Sequence, residues 1–367
     1  MTKCAVPFIE GFTSDTGTFR NCCATYPHIE SKPGQKFKEW WHSKELNDFR
    51  DSLKKDKLPK ACQRCEIAEK VQGSSFRTAI NKTVDLDKID SKWPSRWNII
   101  FGNICNLACW SCNETSSSTI QMHKKKLGLL PYKFKDPELV FEKNWKTLKK
   151  DILESYNYHD TVSLTILGGE PLYNKKVLAF LGELIRSKLA HRTRLEFHTN
   201  ATQAGEKIRE LLSTQTWKYI CIFLSIDAVG KKAEWLRYGS KWDKLEQNIP
   251  HLAKLSNYIE IHCTLGVLNI CDLPGLHEYC KKNSIKLKIH LLSNPWYMSL
   301  ENWDGDPDQL VNEDVLTKHG FKEYYQLIGK THRAGSSQAL KKYIESFNTI
   351  RKPLKEFDPV LAEVLKV

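Results

Sequence analysis

The sequence predicts an α/β fold: a parallel sheet with helices between its strands, flanked by a small Cys-rich segment and a charged helical tail. Three observations carry this. Short apolar runs alternate with helix-like stretches from about residue 96 to residue 300, the pattern of a parallel sheet. Chemistry-bearing residues directly follow two of those runs, where a parallel sheet presents its functional loops. Five cysteines fall within the first 65 residues, which sets that segment apart.

Composition narrows the class. The 367 residues suffice for one large domain and a small one, and 41% hydrophobic with 27% charged residues is ordinary for a globular protein. No apolar run is long enough to span a bilayer and the N-terminus lacks an apolar signal region, so a cytoplasmic protein with no membrane partner is expected. Twelve cysteines in such a chain argue for metal or redox chemistry rather than disulfides. The formal charge of +13 suits an anionic partner, or is a basic solvated surface.

In order, residues 1–80 form the Cys-rich segment, 81–95 a polar connection, 96–300 the core and 301–367 a helical extension. Cys4, Cys22, Cys62 and Cys65 could close one metal site, with Gly17 supplying the turn before Cys22. A C-x2-C pair such as Cys62-Gln63-Arg64-Cys65 is a common half-site for zinc or iron–sulfur centres. Between these halves Leu46, Phe49 and Leu53 follow helical spacing, and Trp40-Trp41 has a core explanation.

The core strands are expected at Trp97–Phe101, Val162–Leu167, Leu195–His198, Ile220–Ser225, Ile259–Leu265 and Leu287–Leu292. Asp136-Pro137-Glu138 starts a helix, with a capping Asp and Pro at the first position. Phe141, Trp145, Leu148 and Ile152 then form one apolar stripe for core packing. His198, His262 and His290 lie in strand patterns and read as packed, hydrogen-bonded residues. Cys221, Cys263, Cys271 and Cys280 lack metal spacing and read as small buried hydrophobes.

After the first strand comes Cys105-Asn106-Leu107-Ala108-Cys109-Trp110-Ser111-Cys112, with three thiols spaced C-x3-C-x2-C. Thiolates this close must converge on a soft metal or remain an oxidisable cluster. Three ligands are one short of a closed tetrahedral zinc site, and no Cys or His follows nearby; His123 lies eleven residues on. A cluster held by three thiolates would keep one iron open, while a three-Cys zinc knuckle is the alternative. After the second strand comes Gly168-Gly169-Glu170-Pro171, where glycines permit close backbone approach and a carboxylate can hold an ammonium.

The triplet with its aromatic residue, followed by Gly-Gly-Glu-Pro at this distance, resembles the radical S-adenosylmethionine (SAM) superfamily. The resemblance implies a partial (β/α)6 barrel and a 4Fe-4S cluster on Cys105, Cys109 and Cys112, with SAM on its open iron. It implies SAM contacts from Trp110, Gly168, Gly169, Glu170 and Pro171. Less specific matches extend these to Asn200, Ser225, Asp227, Arg237 and Val267, with Glu170 on the amino group and Arg237 on the carboxylate. The family often has glycine where Ala201 follows Asn200.

The N-terminal segment resembles the twitch domain, a shortened SPASM domain. The resemblance rests on the G-x4-C spacing ending at Cys22, the Trp/Ser helix and the Pro-x2-C-x2-C ending. It implies a second, auxiliary 4Fe-4S cluster on Cys4, Cys22, Cys62 and Cys65, with Cys23 a packed thiol or substitute ligand and zinc the alternative metal. These domains usually follow the core, whereas here the segment precedes it. The family implies a flavodoxin- or ferredoxin-like reductant and a peptide or protein substrate. The basic charge leaves room for an anionic substrate, a nucleotide or nucleic acid. A non-catalytic zinc scaffold is the reading from another class. In the tail, Lys341, Lys342, Arg351, Lys352 and Lys355 read as a solvated helical face, with covering the open side of the barrel or gripping an anionic substrate as the alternatives.

Overall fold

The computed structural model describes residues 3–55 and 58–367. Its strands in chain order are β1 (Glu10–Thr13), β2 (Phe19–Arg20), β3 (Arg96–Ile100), β4 (Ala108–Cys109), β5 (Val162–Leu167), β6 (Thr193–Thr199), β7 (Tyr219–Ser225), β8 (Arg237–Tyr238), β9 (Tyr258–Leu265) and β10 (Lys286–Leu291). Eight form one sheet in the order β10-β9-β7-β6-β5-β3-β1-β2, while β4 and β8 pair as a separate antiparallel ribbon. The six expected core strands recur, their ends shifted by about two residues at most.

The sheet holds one parallel strand more than expected. β1 lies parallel to β3, with Gly11 opposite Trp97, and β2 turns back antiparallel as the edge. A four-residue strand, Glu-Gly-Phe-Thr, is too short for alternation to reveal. Its glycine is forced by packing: a Cβ on Gly11 would lie 2.8 Å from the Trp97 ring and 3.2 Å from Phe37.

Alternation gives the sheet two unlike faces. Trp97, Ile99, Leu164, Ile166, Leu195 and Phe197 are buried against the outer layer. The intervening residues, among them Arg96, Asn98, Glu196 and His198, form a polar inner face. The helix Pro137–Glu154 starts as expected, with Asp136 accepting from the Glu138 amide at 2.9 Å. Its Phe141 and Trp145 rings meet Phe101, with the Phe101–Trp145 centroids 4.8 Å apart. Offset aromatic contacts of this kind add about 0.5–1.5 kcal/mol each beyond burial.

The expected N-terminal unit is divided between two cores. Phe19, Phe37, Trp40, Trp41 and Leu46 pack with Trp93 and Trp97 in the main core. Cys4, Val6, Phe8, Ile9, Cys22, Phe49, Leu53, Cys62 and Ile80 form a second, smaller core. Buried Arg50 ties the halves together. It donates to the Pro7 carbonyl at 2.9 Å and the Trp41 carbonyl at 2.7 Å, and it stacks on the Trp41 ring.

The C-terminal extension is also more than a solvated face. Leu340, Ile344, Phe347 and Leu354 enter the main core, and Arg351 is only 4% exposed. The helix Ser336–Glu345 still presents Lys342 to solvent, and Lys352 and Lys355 are exposed as expected. Arg351 was misplaced because its position falls on the packed side of the segment after that helix. Among the described residues no helix is long and apolar enough to cross a membrane.

Glu10 sits on the inner face, accepts from Asn98 Nδ2 and lies 3.5 Å from Arg96 Nε. Burial raises its pKa from 4.5 to about 7, against the opposing pull of Arg96. The folded state therefore binds this proton more tightly than the unfolded chain. The stability it contributes is full below about pH 4.5 and lost as pH rises through about 7, by at most ~1.4 kcal/mol per pH unit. Glu10→Gln should flatten the fall in Tm between about pH 5 and about pH 8. An unchanged slope in a pH series of thermal melts would contradict this origin of the stabilisation.

Candidate active site

The thiol loop leaves β3 at its C-terminal end and is held on every side. Ser118 Oγ accepts from the Cys105 amide at 3.1 Å, and Thr119 Oγ1 donates to the Cys105 carbonyl at 2.7 Å. Ser117, which caps the helix Ser118–Lys126, also donates to the Leu107 carbonyl at 2.6 Å. The Ala108–Cys109 strand pairs with Arg237–Tyr238, and the Trp110 amide continues that ribbon onto the Leu236 carbonyl at 2.9 Å. The serines, threonines and the short β8 went unread because capping residues carry little signal without the loop they hold.

Gly168-Gly169-Glu170 follows β5 and lies against the same loop. The Glu170 amide donates to the Ile104 carbonyl at 2.8 Å. Both glycines have positive φ, 87° and 56°. A Cβ on Gly169 would come within 2.1 Å of the Ile104 carbonyl oxygen. Glycine is therefore what allows the two loops to touch.

These loops wall an open cavity with about 760 Å³ of empty space at the C-terminal ends of the strands. Cys105, Cys109, Cys112, Gly168, Gly169, Glu170, Asn200, Ser225 and Arg237 all line it, as do His198 and Thr264 from the inner face. Trp110 and Asp227 line an adjoining smaller cavity. Val267 is fully buried beside that cavity, with its amide on the Met298 carbonyl at 2.9 Å. Pro171 is buried in the turn after Glu170 and does not reach the main cavity wall.

Glu170 is 1% exposed and accepts from Thr199 Oγ1 at 2.6 Å, the Asn200 amide at 2.6 Å and the Leu172 amide at 3.0 Å. Burial nonetheless raises its pKa to about 7. Asn200 bridges to the thiol loop, its Nδ2 donating to Asn106 Oδ1 at 3.0 Å. Arg237 is committed within the protein: Nη2 is 2.9 Å from Asp227 Oδ2, and Nη1 reaches Cys109 Sγ at 3.8 Å. Asp227 also takes the Thr264 amide at 2.8 Å.

The histidines form a chain along the inner face. His262 Nε2 lies 2.9 Å from Glu260 and His262 Nδ1 lies 3.1 Å from His290 Nε2. His198 meets the His262 ring at 5.2 Å. Burial holds His198 near 3 and His290 near 4, so both are neutral at physiological pH. The packed, hydrogen-bonded reading fits His262; His290 is hydrogen-bonded to it but exposed, and His198 also faces the cavity.

Burial pushes up the thiols of Cys105, Cys109 and Cys112, the last to about 12. Ionising all three therefore requires positive charge beside them. The surroundings fit a negative, metal-bearing group. Arg237 already contacts Cys109, and buried donors around the loop lack partners among the described residues: Trp110 Nε1, Arg237 Nε and all three Arg351 nitrogens. Metal coordination would hold the thiolates ionised.

A second set of thiols lies in the smaller core. Cys4, Cys22, Cys62 and Cys65 line one apolar cavity of about 330 Å³. Burial raises the Cys4 and Cys62 thiols, and nearby thiolates raise them further. Exposed Cys23 lies outside the cavity lining. Among the described residues, Cys271, Asp272 and Asp358 also bring ligand atoms within 4.8 Å, but Lys232 already pairs with both carboxylates.

The sequence profile of the radical SAM superfamily matches residues 99–280. Solved structures that resemble the chain include native anSMEcpe with bound AdoMet, at 19% identity and a TM-score of 0.41, covering 61% of this chain and 59% of that one. Another is Streptococcus suis SuiB bound to S-adenosylmethionine, at 16% identity and a TM-score of 0.40, covering 77% of this chain and 57% of that one. The chain thus spans less than two thirds of either. SuiB bound to the precursor peptide SuiA matches at 15% identity and a TM-score of 0.39, covering 86% and 70%. No curated protein matches the sequence.

Gly169→Ala should loosen the thiol loop, since a side chain at φ 56° carries strain of about 1–3 kcal/mol and here also collides with Ile104. Hydrogen exchange should show faster exchange at the amides of Glu170 and Trp110. Unaltered protection of both would contradict the packing of these loops.

Proposed function

We propose that the chain carries the core of a radical SAM enzyme, supported by the superfamily profile over residues 99–280. From that premise we propose that it binds a four-iron four-sulfur cluster through Cys105, Cys109 and Cys112 and modifies a peptide or protein side chain by hydrogen abstraction. The supporting observation is the convergence of this triplet with Gly168, Gly169 and Glu170 on one cavity wall. Once reduced, such a cluster supplies the electron that cleaves SAM to methionine and a 5'-deoxyadenosyl radical, which takes hydrogen from the substrate.

The protein's part is holding and shielding. A carboxylate offers about four acceptor sites, and Glu170 uses three within the fold, leaving capacity for the SAM ammonium. Asn200, Ser225 and Thr264 offer polar contacts on the same wall. Arg237, expected on the SAM carboxylate, has nitrogens on Asp227 and Cys109, so its proposed role is to balance thiolate charge. Leu107 and Leu167 line the cavity and limit water near the reacting atoms.

The reading extends to an auxiliary cluster on Cys4, Cys22, Cys62 and Cys65, supported by their shared cavity. It would accept an electron from the substrate radical, favouring crosslinking or dehydrogenation. The peptide substrate rests on the resemblance of the N-terminal segment to twitch and SPASM domains. A flavodoxin- or ferredoxin-like protein would supply the reducing electron. The +13 charge favours a second reading, a nucleotide or nucleic-acid substrate, which a steep salt dependence of oligonucleotide binding would support.

Anaerobic reconstitution followed by dithionite and SAM should yield 5'-deoxyadenosine. Cys105→Ala should abolish it, and a full yield from that variant would refute the ligand assignment. Cys62→Ala should lower the iron count while leaving SAM cleavage in place; unchanged iron would remove the auxiliary site. Glu170→Gln should weaken SAM binding about tenfold, the loss of one charge-assisted contact, by equilibrium titration.

A further inference from the structure

Among the described residues Arg351 is a buried arginine with all three guanidinium nitrogens left without a hydrogen-bond partner. It comes from the C-terminal extension and is 4% exposed. It lies 4.2 Å over the Trp110 ring and 4.2 Å over the Phe347 ring, with Tyr238 at 5.4 Å. Trp110 sits between Cys109 and Cys112 in the thiol loop, and Tyr238 pairs with Ala108, the residue before Cys109. The extension fixes this arrangement: Tyr343 and Phe347 pack edge-on against Trp110, at 5.7 and 5.5 Å.

A buried cation without hydrogen-bond partners is costly, and the aromatic faces stacked on it offset only part of that cost. Burial lowers the Arg351 pKa to about 10, so the group stays charged at neutral pH. Among the described residues no carboxylate pairs with it. The ring it covers, Trp110, belongs to the segment that carries Cys109 and Cys112. Among its other neighbours, burial raises the Tyr343 phenol and lowers the His123 imidazole, which favours the neutral form of both.

We propose that Arg351 is a positioning residue through which the C-terminal extension completes the cluster site, holding Trp110 against the thiol loop and raising the cluster's reduction potential. This rests on the reading that Cys105, Cys109 and Cys112 hold the cluster. Its charge offsets the electron that reduction adds, so removing it makes reduction harder.

The test uses the whole chain, reconstituted anaerobically, as wild type, Arg351→Lys, Arg351→Gln and Arg351→Met. The first readout is a potentiometric titration of the EPR signal that SAM perturbs. At the potential where half the wild-type cluster is reduced, the Gln and Met variants should show a roughly tenfold lower reduced-to-oxidised ratio, about 59 mV for a one-electron couple. Arg351→Lys should recover most of that shift. The second readout is Tm of the iron-free protein, which the Met variant should not lower, because it removes an uncompensated buried charge. A lowered Tm with an unchanged potential would make Arg351 merely structural and overturn the proposal. Absence of a SAM-sensitive iron signal in the wild type would instead overturn the underlying cluster reading.

Discussion

Sulfur and carboxylate groups crowded together and largely buried cannot all be negative unless something positive meets them. That constraint governs the end of this sheet. Burial pushes up the thiols of Cys105, Cys109 and Cys112 and the carboxyl of Glu170 together. The fold places Arg237 beside Cys109 and locks it there with Asp227. It then places Arg351 behind Trp110, from a segment more than a hundred residues further along the chain. In the proposed reading iron supplies the remaining positive charge, and the two arginines stabilise the assembly once it is reduced.

The sheet explains why these groups meet. One face is apolar and packed under helices, so the polar residues fall on the other, and the strands' C-terminal ends deliver His198, Ser225 and Thr264 to the cavity wall. β1 adds a link that a separate N-terminal domain would lack. It carries the chain from the Cys4 region onto the edge of β3, and β3 leads directly into the thiol loop. Both groups of thiols are therefore anchored to one sheet, although their segments come before and within the core.

Much of this was legible in the residues, for identifiable reasons. Apolar residues, nearly continuous in β5 and alternating in β6, β9 and β10, marked six strands, and the Asp136-Pro137 start fixed the long helix. The C-x3-C-x2-C spacing and the glycine pair identified loops whose contacts depend on residue type. Other features lack a local signature. β1 is four residues long with a glycine inside, and β8 is two residues long. Arg351 sits in a lysine-rich stretch, and only tertiary packing separates it from the charges around it. Arg237 could be placed at the site, but its commitment to Asp227 and Cys109 depends on distances no spacing encodes.

The central claim is that an iron atom at this thiol loop is open to SAM. EPR spectroscopy of the anaerobically reduced whole chain, with and without SAM, addresses it most directly. The account predicts an iron–sulfur signal whose shape changes when SAM is added. A protein holding zinc at these thiols, or a reduced cluster whose signal is indifferent to saturating SAM, would contradict it.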